Sequence, residues 1–345
     1  MINIKSRETR FCNIKVLLIF LVVYGHLIES RINESTVLMI TYKIIYFIHM
    51  PLFVFLSGYF INSKEMCIRQ AVKTLKLYLI LQVSLYVMVN YLNIHILGID
   101  VKTLARPYWH FWYLLSLGWW CLIGYGILYL KEKKGFYNRK GAWLITIIVA
   151  VAIACLAGCD GRIERELSLS RTIVFAPYFL MGLFVPKDIQ WNRLRKISPV
   201  IAVVLTVLLF LTINRIPYYF LWQANSYGGN ISEGIVNRLI CFAIAIAAGF
   251  LIITYMPDRR FGISKVGTDT LKIYICHGFV VLSLKSLKDL NINTFIYLSA
   301  GIAGVIIFLI YKVFMWSGQL YSLTNRVKTG FTRGNDNGEI QGNIR

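Results

Sequence analysis

Long runs of apolar residues, separated by short polar segments, recur along the whole of this 345-residue chain. Many of these runs approach the length that an α-helix needs to cross about 30 Å of hydrocarbon. The pattern predicts ten membrane spans, of which the fifth and sixth are the shortest. They lie at 14–30, 41–61, 75–96, 109–130, 143–158, 171–186, 198–214, 236–255, 269–286 and 294–316.

The composition agrees with that of an integral membrane protein. Apolar residues make up 57% of the sequence, charged residues make up 15%, and the mean hydropathy is +0.61. These values are typical of an all-α integral membrane protein with many spans. We therefore expect the lipid bilayer of a cell membrane as its environment, and three parts: a short segment 1–13, a membrane domain 14–316 and a polar tail 317–345.

Basic residues indicate how the spans are oriented. With the N-terminus inside, the predicted cytoplasmic segments hold 22 Lys and Arg residues and the external loops hold seven. This is the bias that the positive-inside rule describes, so both termini are predicted to be cytoplasmic. The net charge of +21 is spread over these short loops, and we expect no nucleic-acid partner. The seven cysteines are scattered without C-x-x-C spacing, and neither a metal site nor a disulfide framework is expected.

Carboxylates are missing from the middle of the predicted spans, since all sixteen acidic residues fall in loops or at span edges. An ion-coupled carrier usually needs a buried carboxylate, so this distribution weighs against a carrier. The candidates that remain for chemistry inside the membrane are His26, His49 and His277, at similar predicted depths. Each of them alone is also compatible with a packing role. Together they favour a shared polar cavity.

The first span combines a cation with one of these histidines. Lys15 and His26 are eleven residues apart, which puts them on one helix face, roughly 16 Å apart along the axis. Glu29, three residues after His26, is close enough to orient its ring. The alternative for Lys15 is a side chain that anchors the helix at the membrane surface.

Five segments together resemble a known family. In chain order they are KVLLIFLVVYGH (15–26), YFIHMPLFVFLSGYF (46–60), WHFWYLLSL (109–117), SRTIVFAPYFLMGLFV (170–185) and VGTDTLKIYICHGFV (266–280). The sequence resembles the membrane enzymes of acyltransferase family 3, and the second segment is closest to the fucose 4-O-acetylase-like branch. Lys15 stands where many members have arginine.

The resemblance implies acyl transfer, usually of acetyl, from a cytoplasmic acyl-CoA such as acetyl-CoA to a sugar hydroxyl of an envelope or extracellular polysaccharide. A basic cluster of Lys15, Arg69 and Lys73 would hold the CoA phosphates. Arg69 and Lys73 are a looser pair than the arginine-rich pattern of some members.

The family resemblance also suggests roles for the histidines. His26 would take the proton from the sugar hydroxyl as it attacks the thioester, and a transient acyl-histidine is a second possibility. His49 would orient the acceptor or donate to the developing oxyanion. His277 is expected either behind the groups that touch the substrate or on the acceptor side.

Four further residues are candidates for binding the acceptor. Trp112 and Tyr113 would form a stacking wall for a sugar, or belong to an interfacial aromatic belt. Arg171 and Arg238 would reach an acceptor pyrophosphate or acidic sugar, or anchor their helices. With Glu29 and His277 they complete the expected acceptor site.

Two other functions fit a chain with ten spans. A polysaccharide exporter or other carrier would show pseudo-symmetry between its halves, and we find no repeat. A glycan polymerase would carry large external loops rich in arginine, and the predicted external loops are short.

Overall fold

In the residues that the structure describes, ten α-helices follow one another and no strand is present. The computed structural model describes residues 4–92, 101, 103–134, 141–163, 165–284, 287 and 289–336. The helices are α1 (Ile4–Ile28), α2 (Thr36–Tyr59), α3 (Lys64–Asn90), α4 (Trp112–Lys134), α5 (Ala142–Ala157), α6 (Leu169–Phe184), α7 (Ser198–Thr212), α8 (Ile231–Tyr255), α9 (Thr270–Ser283) and α10 (Ile292–Asp336).

The predicted all-α membrane architecture is confirmed. Eight helical segments of the described chain are long and apolar enough to cross a membrane, and α5 and α9 are apolar but shorter. At 1.5 Å per residue they measure roughly 24 and 21 Å, less than the hydrocarbon thickness. The exact count of ten spans and the side on which the termini lie stay predictions.

Three boundaries differ from the sequence prediction. The segment 171–186, expected to be short, belongs to an apolar helical segment at Glu166–Phe184 that is long enough to span. The predicted ninth span, by contrast, is the short α9, which begins after a 3-10 turn at Gly262–Thr268. Helix α10 continues to Asp336, so part of the predicted polar tail is helical.

Two glycines let α2 and α6 pack with their backbones in direct contact. A side chain at Gly58 would meet the carbonyl group of Phe179, and a side chain at Gly182 would meet the carbonyl group of Phe55. Small residues at a crossing commonly let membrane helices approach closely. The hydrophobic effect does not drive helices together in lipid, so their association depends on van der Waals contact.

Polar contacts near the N-terminal end of α1 fix this helix to the rest of the bundle. The buried Arg10 guanidinium pairs with the Asp258 carboxylate at 2.5 Å and donates to Asn192 Oδ1 at 2.6 Å. The Asn13 amide donates to the carbonyls of Pro257 and Arg259, both at 3.0 Å. These bonds tie α1 to the connections after α6 and α8, so that its position along the bundle is set.

Helix α7 shows which kind of surface surrounds the bundle. Its apolar side chains Val200, Val203, Val207 and Phe210 are 50–82% exposed. A helix that presents such residues outward is suited to contact with lipid.

Candidate active site

Four histidines from three helices and one turn lie close together. His26 is on α1, His49 on α2 and His277 on α9, while His110 lies in a 3-10 turn at Trp109–Phe111 just before α4. Three of them line a cavity of about 190 Å³, called the histidine cavity below. Its lining includes His26, His49, His110, Glu29, Trp112 and Arg171. His277 is fully buried behind His26, and the two rings stack with centroids 5.0 Å apart.

Hydrogen bonds fix which nitrogen of His26 is available for chemistry. Nδ1 of His277 lies 2.6 Å from the Tyr274 carbonyl oxygen, which only accepts, so this nitrogen carries the proton. Nε2 of a neutral His277 is then an acceptor, and Nδ1 of His26 donates to it at 2.8 Å. Nε2 of a neutral His26 is left unprotonated on a residue that lines the cavity. This arrangement leaves Nε2 of His26 able to accept a proton, while His277 holds the orientation of its ring.

His49 has a similar tautomer. Its Nδ1 lies 2.7 Å from the Ile45 carbonyl oxygen one turn earlier in α2, so this nitrogen is the donor. Nε2 of the neutral ring accepts hydrogen bonds. This favours orientation of a hydroxyl group over donation to an oxyanion, because donation from Nε2 would need a positively charged ring.

His110 was not selected from the sequence. It is buried, its Nε2 donates to the Ile275 carbonyl at 3.2 Å, and its ring centroid is 5.0 Å from that of His277. Gly278 makes this packing possible, since a side chain there would meet the His110 ring. The sequence signal was the histidine beside Trp109 at the start of the fourth predicted span.

A second cavity, of about 270 Å³, lies nearer the N-terminal end of α1 and is called the lysine cavity below. Lys15 lines it, with Nζ 4.2 Å from the centroid of the Phe60 ring. The hydroxyl groups of Ser57 and Tyr113, also in its lining, are 2.7 Å apart. Its other wall residues include Gln70 and Thr74 of α3.

The two cavities have two wall residues in common. Met50 and Tyr274 line both of them. Tyr274 is held by a hydrogen bond from its hydroxyl group to the His110 carbonyl, and its own carbonyl accepts from His277. We call these two shared residues the junction of the cavities. One of them, Tyr274, also holds His277, which orients His26.

A comparison with family models gives the chain its family. The model of acyltransferase family 3, described as an acyltransferase domain, matches residues 11–313. The chain belongs to acyltransferase family 3. No curated protein and no solved structure matches it. The matched range contains every residue discussed for the two cavities.

Several predicted acceptor residues lie at the histidine cavity of this acyltransferase. Trp112 stacks on Phe175 with centroids 5.4 Å apart, and the Arg171 guanidinium lies 4.9 Å from the centroid of the Trp112 ring. The Glu29 carboxylate hydrogen-bonds to the hydroxyl group of Tyr42. Since Nδ1 of His26 is paired with His277, the orientation of its ring comes from His277 and not, as expected, from Glu29.

Other predicted residues lie elsewhere. Tyr113 lines the lysine cavity and not the histidine cavity. Arg238 is 1% exposed, donates to the Ala154 carbonyl at 2.7 Å, and stands 4.7 Å from the Tyr227 ring centroid. These contacts are those of a helix anchor, which was the alternative for Arg238.

The predicted CoA-binding residues Arg69 and Lys73 do not lie on the face of α3 that lines the cavity with Lys15. Arg69 and Lys73 are exposed on α3, whereas Gln70 and Thr74 on the same helix line the lysine cavity. A role for Arg69 and Lys73 in phosphate binding stays a prediction, and it would apply outside the cavity wall.

Proposed function

We propose that this member of acyltransferase family 3 is a membrane O-acyltransferase. It moves an acyl group, with acetyl as the first candidate, from cytoplasmic acyl-CoA to a sugar hydroxyl of an envelope or extracellular polysaccharide. The observation that carries the proposal is the pair of cavities that meet at Met50 and Tyr274, with His26 on one side and Lys15 on the other. The family match favours this reaction over the exporter considered above.

The lysine cavity suits the acyl-CoA donor. With the orientation that the basic loops predict, Lys15 lies towards the cytoplasm, where its ammonium group would contact a CoA phosphate. Arg69 and Lys73 would add positive charge at the membrane surface outside the cavity. The acyl end of the donor would then reach the junction at Met50 and Tyr274, next to the histidines.

The histidine cavity suits the acceptor hydroxyl. Nε2 of His26 takes the proton of the hydroxyl group while its oxygen attacks the thioester carbonyl. The carbon–sulfur bond breaks, the CoA thiolate leaves, and the proton on His26 passes to that thiolate. The products are the sugar ester and free CoA. His277 accepts the Nδ1 hydrogen bond throughout and stabilises the positive ring, and Nε2 of His49 accepts a hydrogen bond that positions the sugar.

A route through an acyl-histidine would use the same atom. Nε2 of His26 would attack the thioester first, releasing CoA, and the acyl group would then pass to the sugar hydroxyl. Both routes give the same products and need the same tautomer of His26.

NMR of the surface polysaccharide tests the proposed function. Glycan is purified from cells with the gene, without it, and with the gene restored on a plasmid. We expect an O-acyl ester signal that disappears with the gene and returns on restoration, and its chemical shift identifies the acyl group and the modified carbon. Identical ester content in all three preparations would reject the proposal.

A further inference from the structure

A third pocket, of about 500 Å³, adjoins the histidine cavity. Trp109, Trp112, Arg165 and Arg171 line both, and Arg106 lines the third pocket alone. We call it the arginine pocket. A molecule that occupies both spaces contacts two guanidinium groups beside the aromatic rings.

Neutral groups hold these two arginines in place. Nε of Arg171 donates to the Trp222 carbonyl at 3.0 Å, and its guanidinium lies over the Trp112 ring. Nε of Arg165 donates to Asn225 Oδ1 at 3.3 Å. Within the part of the chain that the structure describes, neither guanidinium forms an ion pair with a carboxylate. Their remaining N–H groups are suited to an anionic ligand.

Two carboxylates are present in the joined space, and neither neutralises the pair by direct contact. Glu29 lines the histidine cavity, where it interacts with Tyr42 and, without an ion-pair contact, with the charge of Arg171. Glu166 lines the arginine pocket and is exposed. Partly buried guanidinium groups without a carboxylate at ion-pair distance favour the entry of a negative group, because the anion offsets their lost hydration.

The backbone between the two arginines is held in an unusual conformation. Leu167 and Ser168 have φ angles of 48° and 58°, a left-handed region that residues other than glycine occupy at a cost. The Leu167 amide donates to the Ala105 carbonyl at 2.7 Å, and Ser116 Oγ lies 3.0 Å from Ser168 Oγ. These contacts fix the backbone at Leu167 and Ser168, and with it the positions of Arg165 and Arg171 in the wall of the arginine pocket.

Building on the proposed function, we infer that Arg165 and Arg171 bind a negatively charged group of the acceptor. The group is a phosphate or pyrophosphate of a lipid-linked sugar, or the carboxylate of an acidic sugar. Trp109 provides an apolar ring face for the neighbouring sugar unit, whose hydroxyl enters the histidine cavity. The acceptor is therefore an anionic glycan or glycolipid, and the arginines select it.

Binding of small anions to the full-length protein in lipid nanodiscs tests this subsite. The probes are inorganic pyrophosphate, glucuronate and, as a neutral comparison, methyl glucoside, followed by tryptophan fluorescence and by the shift in melting temperature. All variants carry Lys15→Gln, so that the expected CoA site does not contribute. We expect one of the two anions to bind at least tenfold more tightly than the glucoside, and its affinity to fall at least tenfold in R165Q/R171Q.

Two control variants separate charge from folding. R162Q removes a nearby exposed arginine that pairs with Asp160 outside both spaces, and it should leave anion affinity unchanged. R171K keeps the charge and should retain part of the affinity. Preference for pyrophosphate indicates a lipid-linked acceptor, and preference for glucuronate indicates an acidic polysaccharide.

The inference would be overturned by equal affinity in R165Q/R171Q and its parent, or by anions that bind no better than the glucoside. Because binding is measured without acyl transfer, this failure is distinguishable from failure of the proposed function, which would leave the ester content of the glycan unchanged when the gene is removed.

Discussion

Nδ1 of His26 lies 2.8 Å from Nε2 of His277, although 251 residues separate them along the chain. The contact joins α1 to α9 and places two imidazoles in series, the second anchored to the Tyr274 carbonyl. A base whose tautomer is set by a second group is a frequent device in acyl transfer. Here a neutral imidazole takes the orienting position that a carboxylate holds in other enzymes.

Removal of His277 should slow catalysis more than it weakens binding. In His277→Ala the ring of His26 loses its partner and its fixed tautomer, so we expect kcat to fall by about 10²-fold with little change in the KM for acetyl-CoA. His277→Asn, whose side-chain carbonyl can accept, should recover part of the rate. The assay is transfer of radiolabelled acetyl from acetyl-CoA to unmodified glycan in proteoliposomes. Cys276→Ser on the same helix is the control, and an unchanged kcat in His277→Ala would refute the orienting role.

Lys15 should matter for the donor. Loss of its ammonium group in Lys15→Ala should raise the KM for acetyl-CoA about tenfold or more, because a charge-assisted contact to a phosphate is lost. Lys15→Arg should restore most of the affinity. Arg69→Ala and Lys73→Ala, on the exposed face of α3, should have smaller effects. Lower membrane abundance of Lys15→Ala with an unchanged KM would instead assign Lys15 to helix anchoring.

The junction between the cavities should control passage of the acyl group. Met50→Trp adds a bulky ring where the two cavities meet, so we expect transfer to be lost while CoA still binds with its normal affinity. Met50→Leu, of similar volume, should transfer acyl groups nearly as well as the native enzyme. Calorimetry of CoA binding, run beside the transfer assay, makes the distinction. Native rates in Met50→Trp would show that donor and acceptor meet elsewhere.

The crossing of α2 and α6 should be sensitive to a single methyl group. In Gly182→Ala the new side chain meets the Phe55 carbonyl, so the helices must separate, at an expected cost of about 1–3 kcal/mol. The melting temperature in detergent should fall. Gly126→Ala on α4 is the matched control, since nothing lies within 4 Å of a side chain at that position. Equal melting temperatures for the two variants would contradict the close approach.

The sequence was sufficient for the features that depend on local pattern. Hydropathy and basic residues predicted a helical membrane protein, and the helical angle put Lys15 and His26 on one face of α1. Both now line cavities that share a junction.

Contacts between residues that are far apart in the sequence could not be predicted. The helical period of a sequence shows which residues share one face of a helix, but not which other helix packs against that face. The His26–His277 pair and the burial of Arg238 could therefore not be predicted. His110 was missed because its position depends on Gly278 in another helix. The sides of α3 that Arg69 and Gln70 occupy likewise follow from how that helix is rotated in the bundle.

The acyl-transfer rate of His26→Ala tests the central claim most directly. The variant and the native enzyme are reconstituted at equal amounts, with equal melting temperatures as the check on folding. They are given radiolabelled acetyl-CoA and unmodified glycan from cells that lack the gene. We predict that the variant loses about 10²–10⁴-fold in rate, because the base in the histidine cavity is gone. Transfer by His26→Ala at the native rate would contradict the mechanism.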